Sequence, residues 1–160
     1  MEYLGHIVSQ EGVKVDPNKI KAIKEWKVST TIKQLQGFLG LTGYYRKFVK
    51  NYGRIVAPLT TLLRKDAFSW TLEATKAFEH VKEAMCLTPV LATPEFKKTF
   101  IVECDALGNG IGVVLMQEGR PISFESLPIK GKYLQKYIYE KEMLAILHAL
   151  KKLFGLNLVS

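Results

Sequence analysis

Hydrophobic and polar positions divide the chain into blocks of different period. Tyr3-Leu4-Gly5-His6-Ile7-Val8 and Val13-Lys14-Val15 flank a turn near Gln10-Glu11-Gly12, which predicts a short hairpin. Asp16-Pro17 supplies a cap and a first-turn proline for a helix through about Trp26, with Ile20 and Ile23 on one side. Ser29 or Thr30 is the next N-cap by residue type. Beyond it Ile32, Leu35, Leu39 and, loosely, Leu41 recur at helical spacing, while Lys33, Arg46, Lys47 and Lys50 fill polar positions. Tyr44, Tyr45, Phe48 and Tyr52 continue the pattern as aromatics. Gly53 punctuates it, and Ile55, Leu59, Leu62 and Leu63 mark a further helix closing on Arg64-Lys65, whose charges suit a helix C-terminus. Aromatics at this spacing read as core for the most part, with Tyr45 and Tyr52 open between core and base stacking.

The second half begins with Phe68-Ser69-Trp70-Thr71. Thr71 caps a helix that carries Ala74, Phe78, Val81 and Met85 on one face. Pro89-Val90-Leu91-Ala92-Thr93-Pro94, bracketed by prolines, reads as an extended connector. Thr99–Asp105 is β-branched and aromatic and ends on a carboxylate, Ala106–Gly110 is a turn, and Ile111–Gln117 and Pro121–Phe124 are two more strands. Tyr139–Ile146 returns to helical spacing. There is neither an internal repeat nor a low-complexity tract.

Composition adds mainly exclusions. At 160 residues, 48% hydrophobic and 24% charged, the chain suits one domain or two small subdomains and argues against general disorder. No apolar run approaches the roughly 20 residues that span a bilayer, and Met1–His6 lacks the features of a secretory signal, so an intracellular location is expected. Cys86 and Cys104 are too few for a disulfide framework or zinc site and read as buried thiols. His6, His80 and His148 are isolated and carry no metal or catalytic assignment. Charge changes the picture more. Residues 1–65 hold 12 Lys and Arg against 4 Asp and Glu, whereas residues 66–160 hold 11 against 11. The whole positive excess lies in the first part, which points to a polyanion, nucleic acid being the common case; a solvated basic face is the alternative.

A carboxylate at a strand end, Asp105, and another in the following helix, Glu142, can converge on one divalent cation. Glu103 shares the face of Asp105 in a period-two strand and reads as a solvated charge. The order of these segments resembles the start of the RNase H-like domain in the Pol polyprotein of Ty3/gypsy-type LTR retrotransposons. Upstream, Tyr3–Val8 with Gly12 and Asp16-Pro17 resembles the end of a reverse transcriptase palm with its primer-holding hairpin. Leu35-Gln36-Gly37-Phe38-Leu39-Gly40-Leu41-Thr42-Gly43-Tyr44-Tyr45-Arg46-Lys47-Phe48 through Pro58-Leu59 is similar to that family's thumb helices. Phe68-Ser69-Trp70, Ala77-Phe78 and Pro89-Val90-Leu91 resemble its linker to the RNase H domain.

The resemblance implies Mg²⁺ or Mn²⁺ as cofactor, with Asp105 bridging two ions and Glu142 ligating one. Phosphodiester hydrolysis by two ions about 3.5–4 Å apart needs several carboxylates to offset their repulsion. The family's further acidic residues have no counterpart after Glu142, its aromatic-x-Asp-Asp polymerase turn is absent, and Asp105-Ala106-Leu107 stands where Asp-Ala-Ser is usual. Beyond about Lys152 the resemblance stops, and Phe154–Ser160 is the kind of ending that a frameshift, a retained intron or a truncated gene copy would produce. Neither polymerase nor RNase H turnover is expected from the chain alone.

The expected fold is therefore α+β: a helical reverse-transcriptase thumb-like subdomain followed by an incomplete RNase H-like βββα unit. Residues 1–26 form the palm-end hairpin and following helix, 27–67 the thumb-like helices, 68–96 a linker helix and connector, and 97–160 the incomplete RNase H-like domain. The expected function is that of a Pol fragment that retains nucleic-acid binding, to an RNA–DNA hybrid or primer–template duplex, through Lys33, Arg46, Lys47, Lys50 and Arg54. The rest of a Pol polyprotein is a further expected partner, and a membrane is not. Two alternatives stand beside it: an inert or protein-binding remnant, and an RNase H completed by a partner chain. Lacking its next strand, Phe100–Cys104 is expected to be an exposed sheet edge and residues 97–160 marginally stable.

Overall fold

Short polar side chains place the helix starts. In the computed structural model, which describes residues 2–28, 30–64, 68–107 and 110–128, Asp16 caps helix α1 (Pro17–Lys24) by accepting from the Asn18 N–H at 2.9 Å. Helix α2 (Ile32–Tyr44) is capped by Thr31, which accepts from the Gln34 N–H at 3.2 Å. Thr30, expected as a cap, instead donates its backbone N–H and hydroxyl to Gln34 Oε1 at 2.8 and 2.9 Å, and Ser29 lies outside the described residues. A short 3₁₀ turn, Arg46–Phe48, follows. Helix α3 spans Tyr52–Leu62, so Gly53 sits in its first turn instead of separating two elements. The punctuation falls to Asn51, at φ 60, a left-handed conformation that asparagine tolerates better than most residues. Thr71 caps α4 (Leu72–Cys86) as expected, accepting from the Ala74 N–H at 3.1 Å.

These helices bury one contiguous core. Leu35 and Phe38 of α2, Val56 and Leu59 of α3, and Ala74, Phe78, Val81 and Met85 of α4 are all buried in it. The Phe38 and Phe78 rings meet at 4.5 Å between centroids, with Trp26 and Trp70 on their flanks. Of the aromatic stripe, Tyr45 and Phe48 are core. Tyr52 is half-buried, with its hydroxyl 2.8 Å from Thr42 Oγ1. Burial pushes both the Tyr45 and the Tyr52 hydroxyl above the ordinary tyrosine pKa; at Tyr52 the Thr42 hydrogen bond and the Arg46 charge act in the opposite direction. Tyr44 is the exposed member.

Strands β1 (Glu2–Tyr3), β2 (His6–Ser9) and β3 (Gly12–Val15) form an antiparallel sheet, one strand more than the hairpin expected. The extra turn at Leu4-Gly5 is held from α2 and its cap: the Tyr44 hydroxyl donates to Leu4 O at 2.9 Å and the Tyr45 hydroxyl to Gly5 O at 3.1 Å. The connector after α4 is extended, as its prolines suggest, and it does more than link. Leu91 and Val13 exchange backbone hydrogen bonds of 2.8 and 2.8 Å, and the Ala92 N–H donates to Pro121 O at 2.8 Å.

A second antiparallel sheet follows in the order β4 (Ile101–Leu107), β5 (Gly110–Gln117), β6 (Arg120–Pro128). Strand β6 runs longer than the sequence pattern indicates, and β4 is displaced two residues toward the C-terminus, starting at Ile101 instead of Thr99. Asp105 consequently lies within β4, paired opposite Gly112, and is not its last residue. Among the described strands β4 is an edge, and Ile101 on it is half exposed. The buried Gln117 side chain bonds Glu95 N, Glu95 O and Lys98 O at 2.8, 2.7 and 3.1 Å, which fixes the chain entering β4. The architecture is α+β, with the helices and the two sheets in one packed arrangement: Phe124 of β6 packs against the helical core.

Candidate nucleic-acid interface and carboxylate cleft

The two ends of α2 separate the expected phosphate contacts. Lys33 is in its first turn, whereas Arg46 and Lys47 follow its last; 13 residues of helix (Ile32–Tyr44) put them on the order of 20 Å apart. Arg46, Lys47, Lys50 and Arg54 do come together, on the 3₁₀ turn, the residues that follow it and the first turn of α3, and all are exposed. Lys47 Nζ lies 5.4 Å from the centre of the Phe48 ring, and burial of its stem draws its pKa below the ordinary lysine value. Arg46 Nη2 is 3.9 Å from Glu125 Oε1, an exposed pair with little net worth. The cluster therefore presents solvent-exposed cations, a pattern that suits phosphates better than base edges.

Asp105 lies beside this cluster. A cleft of about 280 Å³ has Lys50 and Asn51 on its helical wall and Glu103, Asp105, Gly112, Val114, Phe124 and Glu125 among the residues of its sheet wall. Glu103 and Asp105 share one face of β4, as the period-two reading required. Glu142 lies outside the described residues. Among the described residues no three His, Cys, Asp or Glu side chains are grouped so as to hold a metal ion, and no helix is long and apolar enough to cross a membrane. Cys86 and Cys104 are exposed, not buried, and neither is in a disulfide. Asn51 was not legible as a site residue; its only signal was an asparagine just before a helix whose glycine, Gly53, comes two residues after the break.

Residues 70–156 match the family of RNase H-like domains found in reverse transcriptases. The chain belongs to this family. The match begins at the Trp70 that precedes α4 and runs past Lys152, where the resemblance had been expected to stop. Over 151 residues the chain is 44% identical to the retrovirus-related Pol polyprotein from transposon 297 of Drosophila melanogaster, covering 93% of this chain and 14% of that protein. Over 166 residues it is 39% identical to the Pol polyprotein from transposon gypsy of the same species, covering 96% of this chain and 16% of that one. The chain thus spans about a seventh of the length of these relatives. A solved structure of the foamy viral protease-reverse transcriptase in complex with an RNA/DNA hybrid matches the fold with a TM-score of 0.80 at 22% identity, over 92% of this chain and 22% of that one.

Proposed function

We propose that this chain is a nucleic-acid-binding segment of a Ty3/gypsy-type Pol polyprotein, in which α2, the 3₁₀ turn and α3 form a thumb-like layer and β4–β6 begin the RNase H-like unit. The observation that carries it is the exposure of Arg46, Lys47, Lys50 and Arg54 along the short stretch from the 3₁₀ turn to the first turn of α3. Electrostatic contact of this kind reads the phosphate backbone, so affinity is sequence-tolerant. The relatives' Pol names and the hybrid held by the foamy viral enzyme support an RNA–DNA hybrid or a primer–template duplex as the ligand.

Hydrolysis is not assigned. Mg²⁺ or Mn²⁺ would be held by Asp105 and Glu142 on the family resemblance; among the described residues Glu103 and Asp105 of β4 and Glu125 of β6 line the cleft, and Glu142 lies outside them.

Binding of a fluorescent hybrid duplex tests the reading. Lys47→Gln, Lys50→Gln and Arg54→Gln should each weaken affinity severalfold and reduce the dependence of log K on log salt by about 1, whatever the duplex sequence. Lys76→Gln, on the exposed face of α4, should change neither. Equal losses at Lys76 and Lys50 would contradict the assignment.

A further inference from the structure

One row of the second sheet runs Asp105, Gly112, Ser126 across β4, β5 and β6. The segment leading into α3 lies over this row. A Cβ at Gly112 would stand 2.7 Å from Asn51 Oδ1, and a Cβ at Gly53 would stand 3.1 Å from Ser126 Cβ. The contacts are reciprocal: a helical-layer side chain fills the space over a sheet glycine, and a sheet side chain fills the space over a helix glycine. Asn51 occupies the cap position of α3 without making a side-chain cap hydrogen bond, so its amide is not committed to the helix. Lys50, one residue earlier, then lines the cleft that holds Asp105.

We infer that Asn51 is a positioning residue that keys the helical layer onto the Asp105–Gly112–Ser126 row, making the Asp105 cleft a composite site in which Lys50 anchors a phosphodiester strand alongside the carboxylates. This rests on the nucleic-acid reading above for its ligand, but not for its docking. Side chains over glycine allow the closest approach of two layers, because no Cβ intervenes. Any residue larger than glycine at 112 displaces Asn51, and with it Lys50, from the row.

Docking is read by a thermal double-mutant cycle on the full chain. Gly112→Ala should lower the melting temperature by roughly 5 °C, the scale expected for a tight contact in a chain of this length. In an Asn51→Gly background, where glycine accepts the left-handed backbone and the side chain is gone, the same substitution should cost little. Equal losses in both backgrounds would overturn the keyed contact. If Gly112→Ala does not fold, a Gly53→Cys/Ser126→Cys pair, in a background with Cys86→Ser and Cys104→Ser, should oxidise to an intramolecular disulfide, since the two Cβ positions, 3.1 Å apart, need only a few tenths of an ångström of separation to reach the roughly 3.5–4.5 Å such a bond spans. Failure to cross-link would overturn it equally. The composite cleft has its own readout in amide NMR signals. Hybrid duplex should shift Lys50 and Asp105 together, and Asn51→Gly should abolish the Asp105 shift while Asn51→Asp preserves it. A Lys50 shift with Asp105 unmoved would sink the composite site and leave the binding reading standing. Cross-linking together with no hybrid binding at all would uphold the docking and sink the binding reading and the strand assignment.

Discussion

Phe78→Ala is expected to lower the unfolding free energy by about 3–5 kcal/mol. Phe78 is fully buried on α4, its ring 4.5 Å from Phe38 of α2 and 6.0 Å from Trp70, with Lys82 Nζ 4.6 Å from its centre. Truncation removes the ring's transfer free energy and leaves a cavity between two helices whose positions are fixed by other packing. Since small domains are stable by only about 5–15 kcal/mol, the variant should be partly unfolded at 37 °C. Urea denaturation measures it, with Leu72→Ala, at a residue two-thirds exposed, as the comparison expected to change stability by less than about 0.5 kcal/mol. A loss below 1 kcal/mol at Phe78 would mean that the core is not built around this ring.

Gly12→Ala should be nearly as damaging, by a different cause. Gly12 has φ 136, a backbone region that side chains rarely adopt, and a Cβ there would stand 2.0 Å from Leu91 O. The neighbour is backbone and cannot rotate away. Relief requires breaking the paired Val13–Leu91 hydrogen bonds, so strain of about 1–3 kcal/mol is added to the loss of that bridge. The Val13 and Leu91 amides should exchange hydrogen much faster in the variant. Protection unchanged from the parent chain would show that the connector is held some other way.

The sequence made the helices legible to different degrees, for identifiable reasons. α4 was readable in full because four apolar residues at helical spacing follow a threonine with no competing cap. α2 was readable but its start was misplaced: Thr30 and Thr31 are both cap formers, and only the Gln34 side chain, which engages Thr30, leaves the capping role to Thr31. The break before α3 was assigned to Gly53 because glycine is the usual breaker, whereas Asn51 takes the left-handed turn and Gly53 serves the approach of Ser126. Strand pairing carried β4 beyond Asp105, since each residue through Leu107 finds a partner on β5 that sequence alone does not reveal.

The candidate site was legible by residue type and only partly by place. Arg46, Lys47, Lys50 and Arg54 are near one another in sequence and remain so in the fold, so their grouping could be read directly. Lys33 was grouped with them by charge, and the intervening length of α2 separates it. Glu103 and Asp105 share a face because strand periodicity is local. That Lys50 and Asn51 line the same cleft as Asp105 depends on a contact across more than fifty residues, and no local pattern encodes it.

The salt dependence of hybrid binding tests the central claim most directly. Four to five phosphate contacts correspond to a slope of log K against log salt of about −3.6 to −4.5, or a loss of roughly 150- to 500-fold between 50 and 200 mM salt. The account predicts a slope in that range, reduced to about −1 to −2 when Lys47, Lys50 and Arg54 are all replaced by glutamine. An affinity that stays flat across that range, or a slope that the triple substitution leaves unchanged, would contradict it.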